Sequence, residues 1–337
     1  MKKIYTLLTL FAALLVLLAA CGGEEIPEET VMSTEAVVDT FPEELRPYRS
    51  PWKLDAVALA KETKSMHYYF MSAQGMEMDA DEEDPQKWGD ACLVVFPDGQ
   101  TMLIDSGVEA YGQILVENLR RLGLEKLDYI LFSHSHHDHC FGALTEGGVL
   151  DSFPVGKIYW TGVRNTGWED RYNIEYTCQS RGIPLQILHR DDILTFGEVS
   201  MEALWPMANA EYMSNLRIKN HNNQSLVVRF DYKEHSSLFS GDMYARGEGD
   251  LVTMSYDKLD VDLLKAAHHG QTTSNTEEFI NAVSPELAVA TGYLPISAKV
   301  QKRYAAVEAT LLHDMSHGYI HVWSNGLVLQ FETSQNP

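Results

Sequence analysis

Four histidines and an aspartate fall within the six positions His134-Ser135-His136-His137-Asp138-His139, directly after the apolar run "LDYILF". Imidazole and carboxylate are the ligand types of Zn²⁺ and related ions. His134 and His136 are two apart, so an extended backbone points both to one side. Asp138 and His139 follow where the chain turns. Ligands on a strand end together with two on a turn can enclose two ions. Such a pair acidifies a shared water and clamps an attacking and a leaving oxygen. A histidine-rich solvated loop is the plain alternative. The rest of the chain must supply further ligands if the metal reading is to stand.

The elements around this cluster are mostly short and apolar. "MHYYFMSA", "ACLVVF" and "TMLIDSG" read as strands, with Pro97-Asp98-Gly99-Gln100 as a hairpin turn between the last two. The polar stretch "GMEMDADEEDPQKWGD" between the first two reads as an exposed loop. "YGQILVENLRRLGL" places Ile114, Leu115, Leu119 and Leu122 near helical spacing and ends at Gly123. "LDYILFS" is a buried-type strand that delivers the histidines. Further strands are expected in "VGKIYW", "PLQILHR", "VSMEALWP", "SLVVRFDY", "HSSLFSGD", "VDLLKAAH" and "LAVAT". A closing hairpin, "IHVWSNGLVLQFE", turns at Asn325-Gly326. Helices are expected around residues 170–181, 275–283 and 300–313. The alternation suits a layered α/β domain with polar residues at strand ends.

His134-x-His136-x-Asp138-His139 resembles the H-x-H-x-D-H signature of the metallo-β-lactamase superfamily. Three further stretches follow the same order. "LIDSG", with Asp105, resembles an upstream strand-end aspartate motif. "LFSGD", with Asp242, resembles the motif whose aspartate bridges two metals. "LKAAHHG", with His268 and His269, resembles the last ligand motif. The likeness covers roughly residues 65–332. It implies an αββα four-layer sandwich, two sheets face to face with helices outside and metals at one edge. It also implies a metal-dependent hydrolase with two bound ions, zinc being expected and manganese or iron being alternatives. By the resemblance His134, His136, Asp138, His139, Asp242 and His268 are ligands. Asp138 also orients the reaction, and His269 is a second-shell, proton-donating or substrate-contacting residue. Which of His268 and His269 is the ligand stays open.

"LKAAHHGQTTS", "NNQSLVVRF" and "DGQTMLIDSG" resemble the metallo-β-lactamase-like domain of the bacterial competence DNA-uptake channel protein, without its long apolar channel segments. The chain departs from the wider family in one place. Where many members have a Gly-His-Thr-type histidine, it reads "KNHNNQSLVV". His221 fills that place in one alignment, and Asn222 or Asn223 in another. The asparagine alignment is preferred and leaves the first ion with one imidazole fewer. Asp105 is a further candidate for a place at or next to the metals. For His67, His189, His235, His313, His317 and His321 a surface or satisfied core position is expected, and for "TTSNT" a helix N-cap.

The 337 residues are 45% hydrophobic and 22% charged, which places the chain among globular proteins. Lys2 and Lys3 precede an apolar run that ends "LLAAC", a pattern that resembles a bacterial lipoprotein signal. Residues 1–20 are then a signal peptide and Cys21 the lipidated residue. Residues 21–50 are acidic, proline-containing and poor in large apolar side chains, and read as a tether. Residues 51–337 form the hydrolase domain. The expected location is extracytoplasmic, lipid-anchored to the bacterial cell membrane. The net charge of −22, with no basic stripe, argues against high-affinity nucleic-acid binding. Besides Cys21 there are only Cys92, Cys140 and Cys178, so there is no disulfide framework.

The expected activity is hydrolysis of a phosphodiester or phosphorylated envelope component, a small molecule or an envelope polymer. A lactone, ester or β-lactam is the alternative substrate class. A metal-bearing binding lipoprotein without catalysis is the rival of another class.

Overall fold

The computed structural model describes residues 42–71, 89–164, 172–208, 221–292 and 294–335. The expected signal, most of the tether, Cys21 and nearly all of the acidic loop before Asp90 lie outside the described residues. Within them, no helix is long and apolar enough to cross a membrane.

Two sheets carry the domain. The first contains β1 (Met66–Phe70), β2 (Cys92–Val95), β3 (Thr101–Ile104), β4 (Leu127–Leu131), β5 (Val155–Trp160) and β6 (Leu185–Ile187). The second contains β7 (Ile193–Phe196), β8 (Val199–Trp205), β9 (Val227–Tyr232), β10 (His235–Phe239), β11 (Leu263–Lys265), β12 (Leu287–Ala290) and β13 (Thr310–His313). The chain then returns to the first sheet through β14 (Ile320–Ser324) and β15 (Leu329–Thr333), giving the order β15-β14-β1-β2-β3-β4-β5-β6. The second sheet runs β13-β12-β11-β10-β9-β8-β7. Each sheet begins with antiparallel hairpins and continues with parallel strands: β3 to β6 in one, β10 to β13 in the other.

Strand alternation explains the apolar runs. Tyr68 and Phe70 face the space between the sheets, and Tyr69 faces the helices outside. In the same way Leu263 and Val289 point inward while Leu264 and Ala288 point outward. Both faces of central strands such as β1, β2 and β12 are therefore buried, and these strands read as continuous hydrophobic stretches. Outside the first sheet lie α1 (Ala56–Thr63), α2 (Gly112–Arg121), α3 (His137–Leu144), α4 (Val149–Ser152) and α5 (Ile174–Arg181). Outside the second lie α6 (Ala245–Ser255), α7 (Glu277–Val283) and α8 (Ala298–Ala306). The layers are helix, sheet, sheet, helix, the expected sandwich.

Three local expectations need correction. The helix expected over residues 300–313 stops at Ala306. Glu308 takes a left-handed φ of 60°, and Thr310–His313 becomes β13, parallel to β12. A short run such as "ATLLH" fits either element until a neighbouring strand claims it. α6 is unforeseen because Gly247 and Gly249 weaken its intrinsic propensity. It is capped from outside, since Asn223 Oδ1 accepts from the N–H groups of Tyr244 and Gly247, both at 3.2 Å. Ordered structure also begins ahead of residue 51. Leu45, Tyr48 and Trp52 pack on the outer core, and the Ser50 N–H donates to Asn118 Oδ1 at 2.7 Å.

Candidate metal centre

The cluster is built by a strand that runs out and a helix that starts. Beyond β4, the Phe132 N–H still bonds to the Tyr159 carbonyl at 2.9 Å. His136 is extended (φ −82°, ψ 155°), and its carbonyl accepts from the N–H groups of His139 and Cys140, which begins α3. His134 and His136 therefore leave an extended segment, and Asp138 and His139 lie in the first helical turn. α3 is locked onto the turn after β3. Ser106 N–H donates to the His139 carbonyl at 2.7 Å, and Gly142 N–H to the Gly107 carbonyl at 2.9 Å. A Cβ on Gly142 would lie 2.0 Å from the Ser106 carbonyl oxygen, so the contact requires glycine.

That turn carries Asp105, which stands behind the cluster rather than in front of a metal. Its carboxylate accepts from Ser133 N–H and Ser133 Oγ, each at 2.7 Å, and from His139 Nδ1 at 2.8 Å. With Nδ1–H committed to Asp105, His139 presents the lone pair of Nε2 to the front.

The second sheet supplies the opposite wall. Asp242 follows β10, and its N–H donates to Ser225 Oγ at 3.1 Å. Its Oδ2 lies 3.2 Å from His139 Nε2, 3.4 Å from His269 Nε2, and 3.9 Å from the Nε2 atoms of both His134 and His268. His268 and His269, beyond β11, both take left-handed backbone angles (φ 47° and 56°). Such strain at consecutive non-glycine residues persists only where surroundings enforce it. Here His268 N–H is held by the Gly241 carbonyl at 3.0 Å, and His269 Nδ1–H donates to the Thr291 carbonyl at 3.0 Å.

The two neighbouring histidines therefore part. His269 is buried, with Nε2 3.3 Å from Asp138 Oδ2, and joins Asp138, His139 and Asp242 in a group whose donor atoms all lie within 4.8 Å. His268, which the resemblance offers as the ligand, stands at the rim. Its Nδ1 bonds to Thr273 Oγ1 at 2.5 Å and its ring packs on Tyr244. His134 and His136 make the other side, 2.9 Å apart between Nε2 and Nδ1. His221 is buried with its ring 5.9 Å from that of His136. Asn223 is spent on capping α6. Asn222 is buried, and its Oδ1 has no hydrogen-bond partner.

Two residues of the site were not singled out in the sequence, although Lys265 lies within "LKAAHHG". Asp90 and Lys265 form a buried ion pair behind the ligands. The available signal was a charge embedded in an apolar strand run, "LLKAA", and another at the start of "DACLVVF". Of the six other histidines, none belongs to either metal-capable group found among the described residues. Thr276 caps α7, as expected of "TTSNT".

The electrostatics favour a cation. Burial pulls the His139 imidazole down, but Asp242, Asp105 and Asp138 overcome it and hold the group well above the ordinary histidine value. Asp242 and Asp90 do the same for His269. Burial pushes the Asp138 and Asp242 carboxyls up, and His139 and His269 more than reverse this. His134 and His136 remain neutral because burial holds them down, His136 at about 4. His136 Nε2 and Asp242 Oδ1 are buried without a hydrogen-bond partner. Corners of a zinc tetrahedron with ~2.0–2.1 Å bonds are roughly 3.3 Å apart, and His139, His269, Asp138 and Asp242 show spacings of 3.2–3.9 Å. The residues fit a divalent ion.

The family described as the metallo-β-lactamase superfamily matches residues 88–198, which include the histidine cluster and Asp105. The chain is a metallo-β-lactamase-fold protein, competence-protein-like in sequence. It is 29% identical to competence protein ComA of Neisseria gonorrhoeae over 57% of this chain. It is 26% identical to ComE operon protein 3 of Bacillus subtilis, also over 57% of this chain. It spans only 24% and 22% of the length of these two relatives. Among solved structures, the metallo-β-lactamase-fold protein YhfI from Bacillus subtilis aligns over 74% of this chain and 95% of its own. The identity there is 15% and the TM-score 0.46. Ligand-type side chains from both sheets meet at one edge of the sandwich.

Proposed function

We propose that this protein is a dinuclear, zinc-dependent hydrolase that acts on a phosphodiester or phosphorylated envelope component at the outer face of the membrane, anchored through Cys21. One observation carries the reading. Four imidazoles converge on Asp242 Oδ2, the Nε2 atoms of His139 and His269 at 3.2 and 3.4 Å and those of His134 and His268 at 3.9 Å. A bound pair of divalent ions supplies Lewis-acid activation of water and charge neutralisation. His134, His136 and Asp242 would hold one ion, and the buried Asn222 is the proposed further ligand. Asp138, His139, His269 and Asp242 would hold the other. Asp105 and Thr291 fix the tautomers of His139 and His269. His268, aimed from the rim toward Asp242, offers an imidazole to substrate oxygens. The substrate class rests on the competence-like sequence and the expected location, both analogies.

The test is a screen of metal-loaded protein against bis(p-nitrophenyl) phosphate, p-nitrophenyl phosphate, a lactone and nitrocefin. Metal-dependent cleavage of the diester, abolished in His136→Ala, is the expected result. Turnover of the lactone or nitrocefin alone would overturn the substrate class. Metal binding without any turnover would favour a binding protein.

A further inference from the structure

The two ligand groups come from different sheets. His134 to His139 extend from the first, and Asp242 and His269 from the second. The spacing between ligand atoms therefore depends on how far apart the sheets stand at this edge. A buried side-chain connection crosses there, alongside the backbone bond from Leu226 N–H to the Ser133 carbonyl at 2.7 Å. Asp90 lies just ahead of β2 in the first sheet. Lys265 ends β11 in the second, and Thr291 follows β12. The Lys265 ammonium bonds to Asp90 Oδ2, and the Thr291 hydroxyl bonds to Asp90 Oδ1.

We propose that Asp90, clamped by Lys265 and Thr291, is a positioning residue that sets the separation and orientation of the metal-binding histidines contributed by the two sheets. This rests on the metal-centre reading above. The carboxylate spans both imidazoles: Oδ1 lies 3.4 Å from His269 Nδ1 and Oδ2 lies 3.9 Å from His139 Nδ1. Its backbone is tied to the same machinery. Asp90 N–H donates to the Asp138 carbonyl at 3.0 Å, and its carbonyl accepts from Gly107 N–H at 2.8 Å. Thr291 serves twice, with its hydroxyl on Asp90 and its carbonyl on His269 Nδ1.

A stability role alone explains this pair poorly. Asp90 and Lys265 border an enclosed cavity otherwise lined largely by apolar side chains such as Phe70, Leu131, Leu226 and Phe239. Desolvating two charges in such surroundings costs several kcal/mol per ion, and apolar replacements of similar volume are often neutral or stabilising. A hydrophobic pair could not place a carboxylate 3.4 Å from His269 Nδ1 and 3.9 Å from His139 Nδ1, beside the bonds those nitrogens make to Thr291 and Asp105. Nor could it place a fixed positive charge beside three buried carboxylates, those of Asp90, Asp242 and Asp105.

The experiment is a zinc titration against a competing chelator, with melting of the metal-free protein measured alongside. Asp90→Asn keeps the size and removes the charge. It is expected to weaken the ion held by His139 and His269 by about 10–100-fold, the usual effect of losing an outer-shell partner. Asp90→Asn with Lys265→Met strands no charge. It is expected to recover the melting temperature of the metal-free protein but not the zinc affinity. Recovery of both would show that the loss came from an unpaired lysine and would overturn the proposal. Wild-type affinity in Asp90→Asn would do the same. Should Asp90→Asn fail to fold, Thr291→Val, which loses only the hydroxyl bond, is expected to lower affinity about 10-fold; unchanged affinity there would be decisive against the clamp. A wild-type protein that binds no zinc in the same titration would bring down the metal reading itself, and the clamp with it.

Discussion

His269→Ala and His268→Ala should separate sharply, although the residues are neighbours in sequence. His269 Nε2 lies 3.3 Å and 3.4 Å from oxygens of Asp138 and Asp242, close to the roughly 3.3 Å between corners of a zinc tetrahedron. Removing it leaves that ion three protein ligands. Outer-shell losses alone cost 10–100-fold in metal affinity, so at least about 100-fold is expected here, or ~2.7 kcal/mol. The change also strands the buried Thr291 carbonyl, which costs about 1–3 kcal/mol of folding stability even without metal. His268 Nε2 lies 3.9 Å from Asp242 Oδ2, and its side chain is partly exposed. His268→Ala is expected to bind both ions within a few-fold of wild type and to lose activity instead. The assays are metal content after gel filtration and a chelator-competition titration, with circular dichroism to confirm folding. A folded His268→Ala protein that holds one ion, beside a His269→Ala protein that holds two, would refute the assignment.

Three further outcomes are expected. Asn222→Ala should weaken the first ion while His221→Ala leaves two ions bound, because Asn222 Oδ1 is a buried oxygen without a hydrogen-bond partner; elemental analysis showing the reverse would restore His221 as the ligand. Gly142→Ala forces a Cβ against the Ser106 and Val108 carbonyl oxygens, so it should cost about 1–3 kcal/mol in denaturant unfolding and loosen metal binding as α3 leaves the Asp105 turn; a silent substitution would contradict that packing. Far from the metals, burial and the adjacent His321 pull His67 down to about 3, whereas an unfolded imidazole titrates near 6.5. The unfolded chain therefore takes up a proton that the folded one refuses, so stability is full above about pH 6.5 and falls as pH drops toward 3. His67→Phe should flatten that part of the melting-temperature profile of chelated protein, and an unchanged slope would show that His67 does not drive it.

Much of the architecture was legible in the residues. The strand runs, the α2 helix and the hairpin after β14 follow from local apolar patterning, and the αββα class from the resemblance of the motifs to a known family. Patterning is local, and the central strands here bury both faces. The ligand cluster was legible for the same reason: His134, His136, Asp138 and His139 sit within six positions, so backbone geometry alone brings them together.

What depended on distant partners was not legible. α6 forms because Asn223, more than twenty positions away, caps it. Thr310–His313 is a strand because β12 lies beside it. The choice between His268 and His269 turns on left-handed backbone angles and on Thr291, which reaches over from the next strand. Asp90 and Lys265 meet across 175 positions. Neither announces a partner in its own neighbourhood, because an ion pair across two sheets is set by how the sheets stack. Residue types and short-range spacing thus determined that this chain could gather metal ligands. Only the packing of one sheet on the other decided which imidazole joins the buried carboxylates of Asp138 and Asp242 and which charges stand behind it.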